Sequence, residues 1–432
     1  MHSSPNSPLT QNESSRSAAA EILATRCCIV GGGPAGMLCG FLLARAGIDV
    51  VVLEKHADFL RDFRGDTIHP STLELMHELG ILEDFLRRPH QELSHIGAQV
   101  NDVTVGVADF SHLPTHCKFV GLMPQWDFLN FIAEKAKAYP GFHLHMETQV
   151  TDLLIENNCV VGVRAKSPRG EIEVRADLTI GADGRHSIVR EKAGFEVLDL
   201  GAPIDVLWMR VSRQPGDANQ ALGRFRAGKI LVAIDRGEYW QCAYVIAKGA
   251  FDAIRQKGLA RFQEEIASVA PFLRERLGEL RDWDDIKLLS VTVDRLRQWS
   301  RSGLLCIGDS AHAMSPIGGV GINLAIQDAV AAANILVEPL AKGAISDERL
   351  REVQRLREFP TRLTQGFQVF AHKRFIRPAL RNARSLSRLP FLFKLLQTFP
   401  ILQRIPARLI GLGVRPEHVR TPDTKLQTAR ST

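Results

Sequence analysis

A glycine run between two apolar segments limits the folds open to this chain more than any other feature. Arg26 to Val30 reads as a short buried strand. Gly31-Gly32-Gly33-Pro34-Ala35-Gly36 is a GxGxxG turn, and Met37 to Ala46 is a helix of small and apolar residues that Gly47 ends. Asp49 to Leu53 is a second buried strand, closed by Glu54. The period changes from strand to helix to strand, which predicts a βαβ unit. In such a unit Gly31 permits the tight turn, Gly33 lets a diphosphate approach the backbone, and Gly36 lets helix pack on strand. Pro34 and Ala35 lie in the turn that leads into that helix, whose free N–H groups and dipole favour negative charge. A carboxylate at Glu54, with Lys55 beside it, accepts hydrogen bonds from an adenosine ribose. These residues point to a bound dinucleotide.

The rest of the chain alternates between two patterns. Ser71 to Leu86 and Trp126 to Ala138 have helical spacing, and three strand-like runs from Val150 to Val174 form a meander. Leu178 to Ile180 is a short buried strand ending at Gly181. Between Ile204 and Ala247 strand-like runs recur and predict an antiparallel sheet, followed by helical stretches over Phe251 to Val269 and Phe272 to Leu280. Leu304 to Ile307 returns to a parallel-type strand, and an Ala-rich helix runs from about Gly321 to Leu336. The C-terminal part is helical but broken by Pro378, Pro390, Pro400 and Pro406. The expected division is a disordered polar tail over 1–24, nucleotide-binding parts over 25–90, 125–193 and 291–340, a substrate-domain insertion over 91–124, an antiparallel-sheet substrate domain over 194–290, and a basic helical region over 341–432.

Two further stretches carry chemistry. One runs from Asp177 through Gly181-Ala182-Asp183-Gly184-Arg185 to Arg190. The other is Gly308-Asp309-Ser310-Ala311-His312, continuing through Pro316 and Gly318-Gly319-Val320-Gly321-Ile322-Asn323 to Asp328-Ala329. Each follows a strand and opens into a turn or helix. Asp309 offers a carboxylate to a ribityl or ribose hydroxyl, and the glycines from Gly318 to Gly321 let backbone N–H groups lie against a flat ring.

In this order and spacing, the three stretches resemble the class A flavoprotein monooxygenases, the family of para-hydroxybenzoate hydroxylase. The resemblance covers about Arg26 to Leu336. It implies an α/β fold: a Rossmann-like FAD-binding domain interleaved with an antiparallel-sheet substrate domain, with a helical C-terminus. It implies that Arg64 approaches the FAD phosphates and Gln125 the ribityl chain. Asp183 is implied in structure and nicotinamide binding as well as in FAD binding. Pro316, Gly319, Gly321, Ile322 and Asn323 are implied to flank the flavin ring.

The chemistry implied is that NAD(P)H reduces FAD, dioxygen gives a flavin hydroperoxide, and one oxygen passes to a small aromatic substrate. Hydroxylation or epoxidation of a phenol, polyketide or quinolone is the expected reaction. The pocket must be apolar to exclude water. Trp208, Arg210, Phe225, Tyr239, Trp240 and Gln241 are candidates for its wall, and no general base is singled out. His312 reads as structural. The five Trp residues form no WxW, which argues against a halogenase. An isoprenoid or olefin reductase of the geranylgeranyl-reductase type and a non-catalytic FAD-binding membrane-associated protein are the alternatives.

Composition bounds the remainder. Seven scattered cysteines include no CxxC pair, so free thiols in a cytoplasmic protein and no metal site are expected. No window of about 18 uninterrupted apolar residues predicts a membrane span. The net charge of +6 hides an asymmetry. From Arg351 onward 17 basic residues face 4 acidic ones, giving 17 − 4 = +13 there and 6 − 13 = −7 elsewhere. No nucleic-acid partner is expected. The apolar and basic residues between Leu389 and Leu412 fit either packing on the body of the protein or peripheral contact with a membrane.

Overall fold

The computed structural model describes residues 21–60, 67–217, 222–226, 228–381 and 391–425. Its frame is a sheet in which β1 (Glu21–Val30) is flanked by β2 (Val50–Leu53) and, on its other side, by β4 (Gly170–Gly181). Outside these lie β3 (Phe142–His145), beyond β2, and β5 (Leu304–Cys306), beyond β4. All five strands are parallel. Such strands are covered on both faces and so read as unbroken apolar runs. Cys27 to Val30 and Val50 to Leu53 are buried accordingly. Residues 21–24, expected in the tail, instead extend β1, where Glu21 to Ala24 pair with Ile172 to Arg175. Likewise β4 is one long strand rather than two short ones, because its polar middle is paired along β1.

Helix α1 (Pro34–Arg45) packs on α3 (Gln125–Ala136) and on α4 (Gly321–Lys342). Gly40 lets α1 lie close on the sheet, against Val52 of β2 and Phe142 of β3, and Ala329 to Ala333 of α4 are fully buried. Helix α4 is long and apolar enough to span a membrane by composition, yet two thirds of its apolar stretch is buried within the protein. The predicted helix over Ser71 to Leu86 is two helices, α2 (Pro70–Glu78) and a short one over Leu82–Leu86, separated by a turn at Gly80.

The second sheet contains, in order, Lys287–Ser290, Ile204–Ser212, Tyr239–Ala247, Lys229–Asp235, Leu222–Arg226, His95–Val100 and Val103–Asp109. Every pair is antiparallel except Leu222–Arg226 with His95–Val100, where the strands from 91–124 join. Alternation sorts its side chains. Leu207, Met209, Trp240, Cys242 and Tyr244 pack on the outer face under the helix Leu259–Val269. The predicted helix after it is a 3₁₀ segment, Pro271–Glu279. Val206, Trp208, Val232 and Val245 lie on the inner face, which Ile376 and Leu380 of the C-terminal region cover.

A buried ionic knot joins the layers. Asp328 on α4 accepts hydrogen bonds from Gly308 N at 3.0 Å, His312 Nε2 at 2.6 Å and Arg357 Nε at 3.0 Å. Arg357, on α5 (Asp347–Ala371), also reaches the Arg415 carbonyl at 3.2 Å and Glu417 at 3.4 Å. Burial alone would raise the Asp328 pKa; His312 and Arg357 outweigh it and hold the carboxyl below its usual range. Asp328→Ala strands a buried cation and is expected to cost about 3–5 kcal/mol, read as a lower urea midpoint. The carboxylate's contribution is full above its unfolded pKa of about 3.9 and is lost as pH falls through the lower folded value, so wild type and variant converge in stability in acid.

Candidate active site at the carboxyl edge of the parallel sheet

The strand order reverses at β1, so loops leaving β1 and its neighbours diverge and open a crevice at their carboxyl ends. The three motif stretches leave the sheet at this edge. Ala182 N donates to Val30 O at 2.7 Å, Ile307 N to Gly181 O at 2.9 Å, and Ser310 Oγ to Gly181 O at 2.6 Å. Contact is close enough to dictate residue type. Gly31 sits at φ 108°, and a Cβ there would lie 2.4 Å from Ala182 O. A Cβ on Gly36 would lie 2.0 Å from Gly31 O. Gly33 differs: a Cβ there would meet nothing within 4 Å. That open space faces the start of α1, where helix N–H groups lack intrahelical acceptors. A diphosphate fits this cradle.

Glu54 lies at the end of β2, largely buried. Its Oε2 accepts from Gly32 N at 2.9 Å and its Oε1 from His56 N at 3.1 Å. The carboxylate is thus fixed beside the glycine turn. Lys55 points to solvent. Gln125 is buried at the first position of α3, which packs on α1. Arg64 lies outside the described residues.

Asp309 is paired with Arg185, whose Nε donates to Asp309 Oδ2 at 3.0 Å and whose Nη2 donates to Met314 O at 3.3 Å. Arg185 Nη1 is buried with no hydrogen-bond partner among the described residues. An unsatisfied buried guanidinium nitrogen next to the glycine cradle suits an anionic ligand. Nothing local in the sequence gives Arg185 a task; its place directly after Asp183-Gly184 is the available signal. Asp183 itself braces the following turn, accepting from Val189 N at 3.2 Å, and burial raises its pKa.

Pro316, Gly319, Gly321 and Ile322 form the turn into α4, with Gly318 and Gly319 at φ 78° and 64°. Two threonines near α2 hold this segment. Thr67 Oγ1 donates to Gly319 O at 3.1 Å, and Thr72 Oγ1 to Asn323 Oδ1 at 2.6 Å. Asn323 therefore anchors the loop against α2. His69, also missed from sequence, pairs its Nδ1 with Ile410 O at 2.6 Å. Burial pushes its pKa down to about 4 against the pull of the Ile410 and Gly319 carbonyls, so the ring is neutral at neutral pH. No local periodicity marks these contacts, which join residues far apart in sequence.

The pocket-wall candidates divide by strand register. Arg210 pairs with Gln241, Trp208 with Ala243 and Ser212 with Tyr239, so Trp208, Arg210, Tyr239 and Gln241 share the inner face. Arg210 stacks over the Tyr239 ring at 3.9 Å, and Gln241 accepts from Arg236 Nε at 3.0 Å. Phe225 also faces inward but packs against Phe393. Trp240 is a correction: it pairs with Val211 on the outer face, donates to Asp217 at 2.7 Å and packs edge-on to Phe272. Ile234 on the inner face clusters with Leu122 and Ile410, and a Cβ on Gly318 would lie 3.9 Å from Ile410. The inner face and the Pro316–Asn323 loop are thereby neighbours.

Gly33→Val tests the cradle without disturbing the fold, because its added carbons enter open space. The variant is expected to keep wild-type circular dichroism and to lose bound flavin; flavin retained in stoichiometric amount contradicts the assignment.

Comparisons with known proteins give the family and the fold. The family described as FAD binding domain matches residues 24–363. The 6-methylpretetramide 4-monooxygenase of Streptomyces rimosus is 34% identical over 350 residues, 80% of this chain and 83% of that protein. Protoasukamycin 4-monooxygenase of Streptomyces nodosus subsp. asukaensis is 28% identical over 374 residues, 78% and 86% of the two chains. The solved structure of p-nitrophenol 4-monooxygenase from Pseudomonas putida DLL-E4 superposes with a TM-score of 0.74 at 22% identity, covering 91% of this chain and 100% of that one, which is a likeness of fold. The chain belongs to the FAD binding domain family and is an FAD-dependent monooxygenase of the class A, aromatic-hydroxylase type.

Proposed function

We propose that this enzyme hydroxylates a polycyclic phenol of the aromatic polyketide class, with reduced nicotinamide as electron donor. The observation that carries the substrate class is the 34% identity, over most of both chains, to a monooxygenase named for 6-methylpretetramide. The inner face of the second sheet supports it. Trp208, Val232 and Ile234 offer an apolar wall, Ile376 and Leu380 roof it, and together they exclude water. Arg210 is exposed beside Tyr239 and puts positive charge where an ionised phenol would benefit.

Bound FAD supplies the activation of dioxygen. The chain's own residues hold and orient it. Gly31, Gly33, Pro34, Ala35 and Gly36 cradle the diphosphate at the start of α1, and Glu54 meets the adenosine ribose. Arg185 and Asp309 work as a pair: Asp309 accepts from a ribityl hydroxyl while the free Arg185 nitrogen meets phosphate oxygen. Gln125 borders the ribityl chain. Pro316, Gly319, Gly321 and Ile322 border the ring, with Asn323 fixing their backbone through Thr72.

Arg185→Met keeps the stem and removes the donors. It is expected to raise the Kd for FAD about tenfold to a hundredfold, since a hydrogen bond to a charged group is worth about 1.5–3 kcal/mol. Titration of the apoprotein with FAD reads this directly, and an unchanged Kd contradicts the role. For the reaction, holoenzyme is offered polycyclic and single-ring phenols with NADPH or NADH. A polycyclic phenol is expected to accelerate nicotinamide oxidation and to gain the mass of one oxygen atom. Exclusive turnover of single-ring phenols, or oxidation without oxygen transfer to any of them, overturns the proposal.

A further inference from the structure

The surface of the C-terminal third carries a pattern that flavin chemistry leaves unused. Residues 359–416 contain eleven Lys or Arg and no Asp or Glu. The same span holds nine of the fifteen large hydrophobic side chains exposed among the described residues. Four of them, Phe359, Leu363, Phe367 and Phe370, recur at helical spacing on one side of α5 and are 48% to 56% exposed. Ile401, Ile405 and Leu409 form a second apolar row on the 3₁₀ turn Pro400–Gln403 and the helix Arg404–Gly411. The opposite side of that helix is anchored, with Ala407 and Gly411 buried against the second sheet's edge. The two rows are neighbours: Thr364 of α5 and Leu409 line one small cavity. Arg362, Lys373, Arg404 and Arg408 are exposed around them.

We infer that this face docks the enzyme peripherally on an anionic lipid bilayer. Apolar side chains that project from anchored helices enter the headgroup boundary, and a net-basic rim, in which Glu358 lies 3.8 Å from Arg362, is attracted to anionic headgroups. Nine exposed large apolar side chains within one region are more than the singly scattered ones of an ordinary surface. The charge decides the occupant. A second copy of the same face would bring two net-basic surfaces together, which like-charge repulsion opposes. An anionic membrane complements both the charge and the apolar rows.

The test is flotation of purified holoenzyme with vesicles of phosphatidylcholine alone and of an equimolar mixture with phosphatidylglycerol. The enzyme is expected to float with the mixed vesicles at least about tenfold more than with the neutral ones, and high salt is expected to reduce this. Phe367→Ser with Phe370→Ser, and separately Arg404→Gln with Arg408→Gln, are each expected to weaken binding about tenfold while FAD content stays at the wild-type level. Three results overturn the inference: no binding to the mixed vesicles, binding that the Phe pair leaves unchanged, or a stable solution dimer that the Phe pair dissociates.

Discussion

The buried carboxylate of Asp328 is the interaction on which the rest of the structure turns. It lies inside α4, yet it receives the backbone of Gly308, the ring of His312 and the guanidinium of Arg357. One side chain therefore sets where β5 ends, how the following turn presents Asp309, and how α5 lies on α4. Through Arg357 it also holds the returning C-terminal strap at Arg415 and Glu417. A charge so buried is tolerated only when every lone pair is used, and the fixed geometry that results is what a cofactor site needs.

The site is then an outcome of strand order. Parallel strands on either side of β1 send their loops apart, and the gap receives the glycine turn, the Asp183–Arg185 turn and the Gly308–Asp309 turn together. Glycine is required where those turns touch, at Gly31 and Gly36, and leaves open space where they do not, at Gly33. The Arg185–Asp309 pair bridges two of the three turns and leaves one guanidinium nitrogen over. On the far side, threonines 67 and 72 and His69 hold the Pro316–Asn323 loop between α2 and the C-terminal helix. The loop is thus built from both ends of the chain.

Much of this was legible in the sequence, for physical reasons that differ by region. The βαβ unit was readable because a buried parallel strand must be apolar throughout and a GxGxxG turn has few other uses. The inner and outer faces of the second sheet were not: alternation puts Trp240 opposite Tyr239 and Gln241, but Tyr239–Ala247 carries apolar residues on both sides, so only its packing partners decide which side is inner. The start of β1 at Glu21 was missed because Glu21, Ile22 and Ala24 lie on an exposed end whose partners come from residues 172–175. The C-terminal region read as basic and helical, but its two tasks were hidden: Ile376 and Leu380 roof the inner face while Phe367 and Phe370 face solvent. Composition gives no hint of which does which.

The proposed site holds one flavin dinucleotide along its whole length, from the adenosine ribose at Glu54 to the ring at Pro316–Asn323. Titration of the apoprotein with FAD and with FMN, following quenching of flavin fluorescence, examines that claim most directly. One FAD per chain with much weaker binding of FMN is the predicted result, because FMN lacks the adenosine half that we propose Glu54 and the glycine turn hold. Equal affinity for the two flavins, or no saturable binding of FAD, would contradict it.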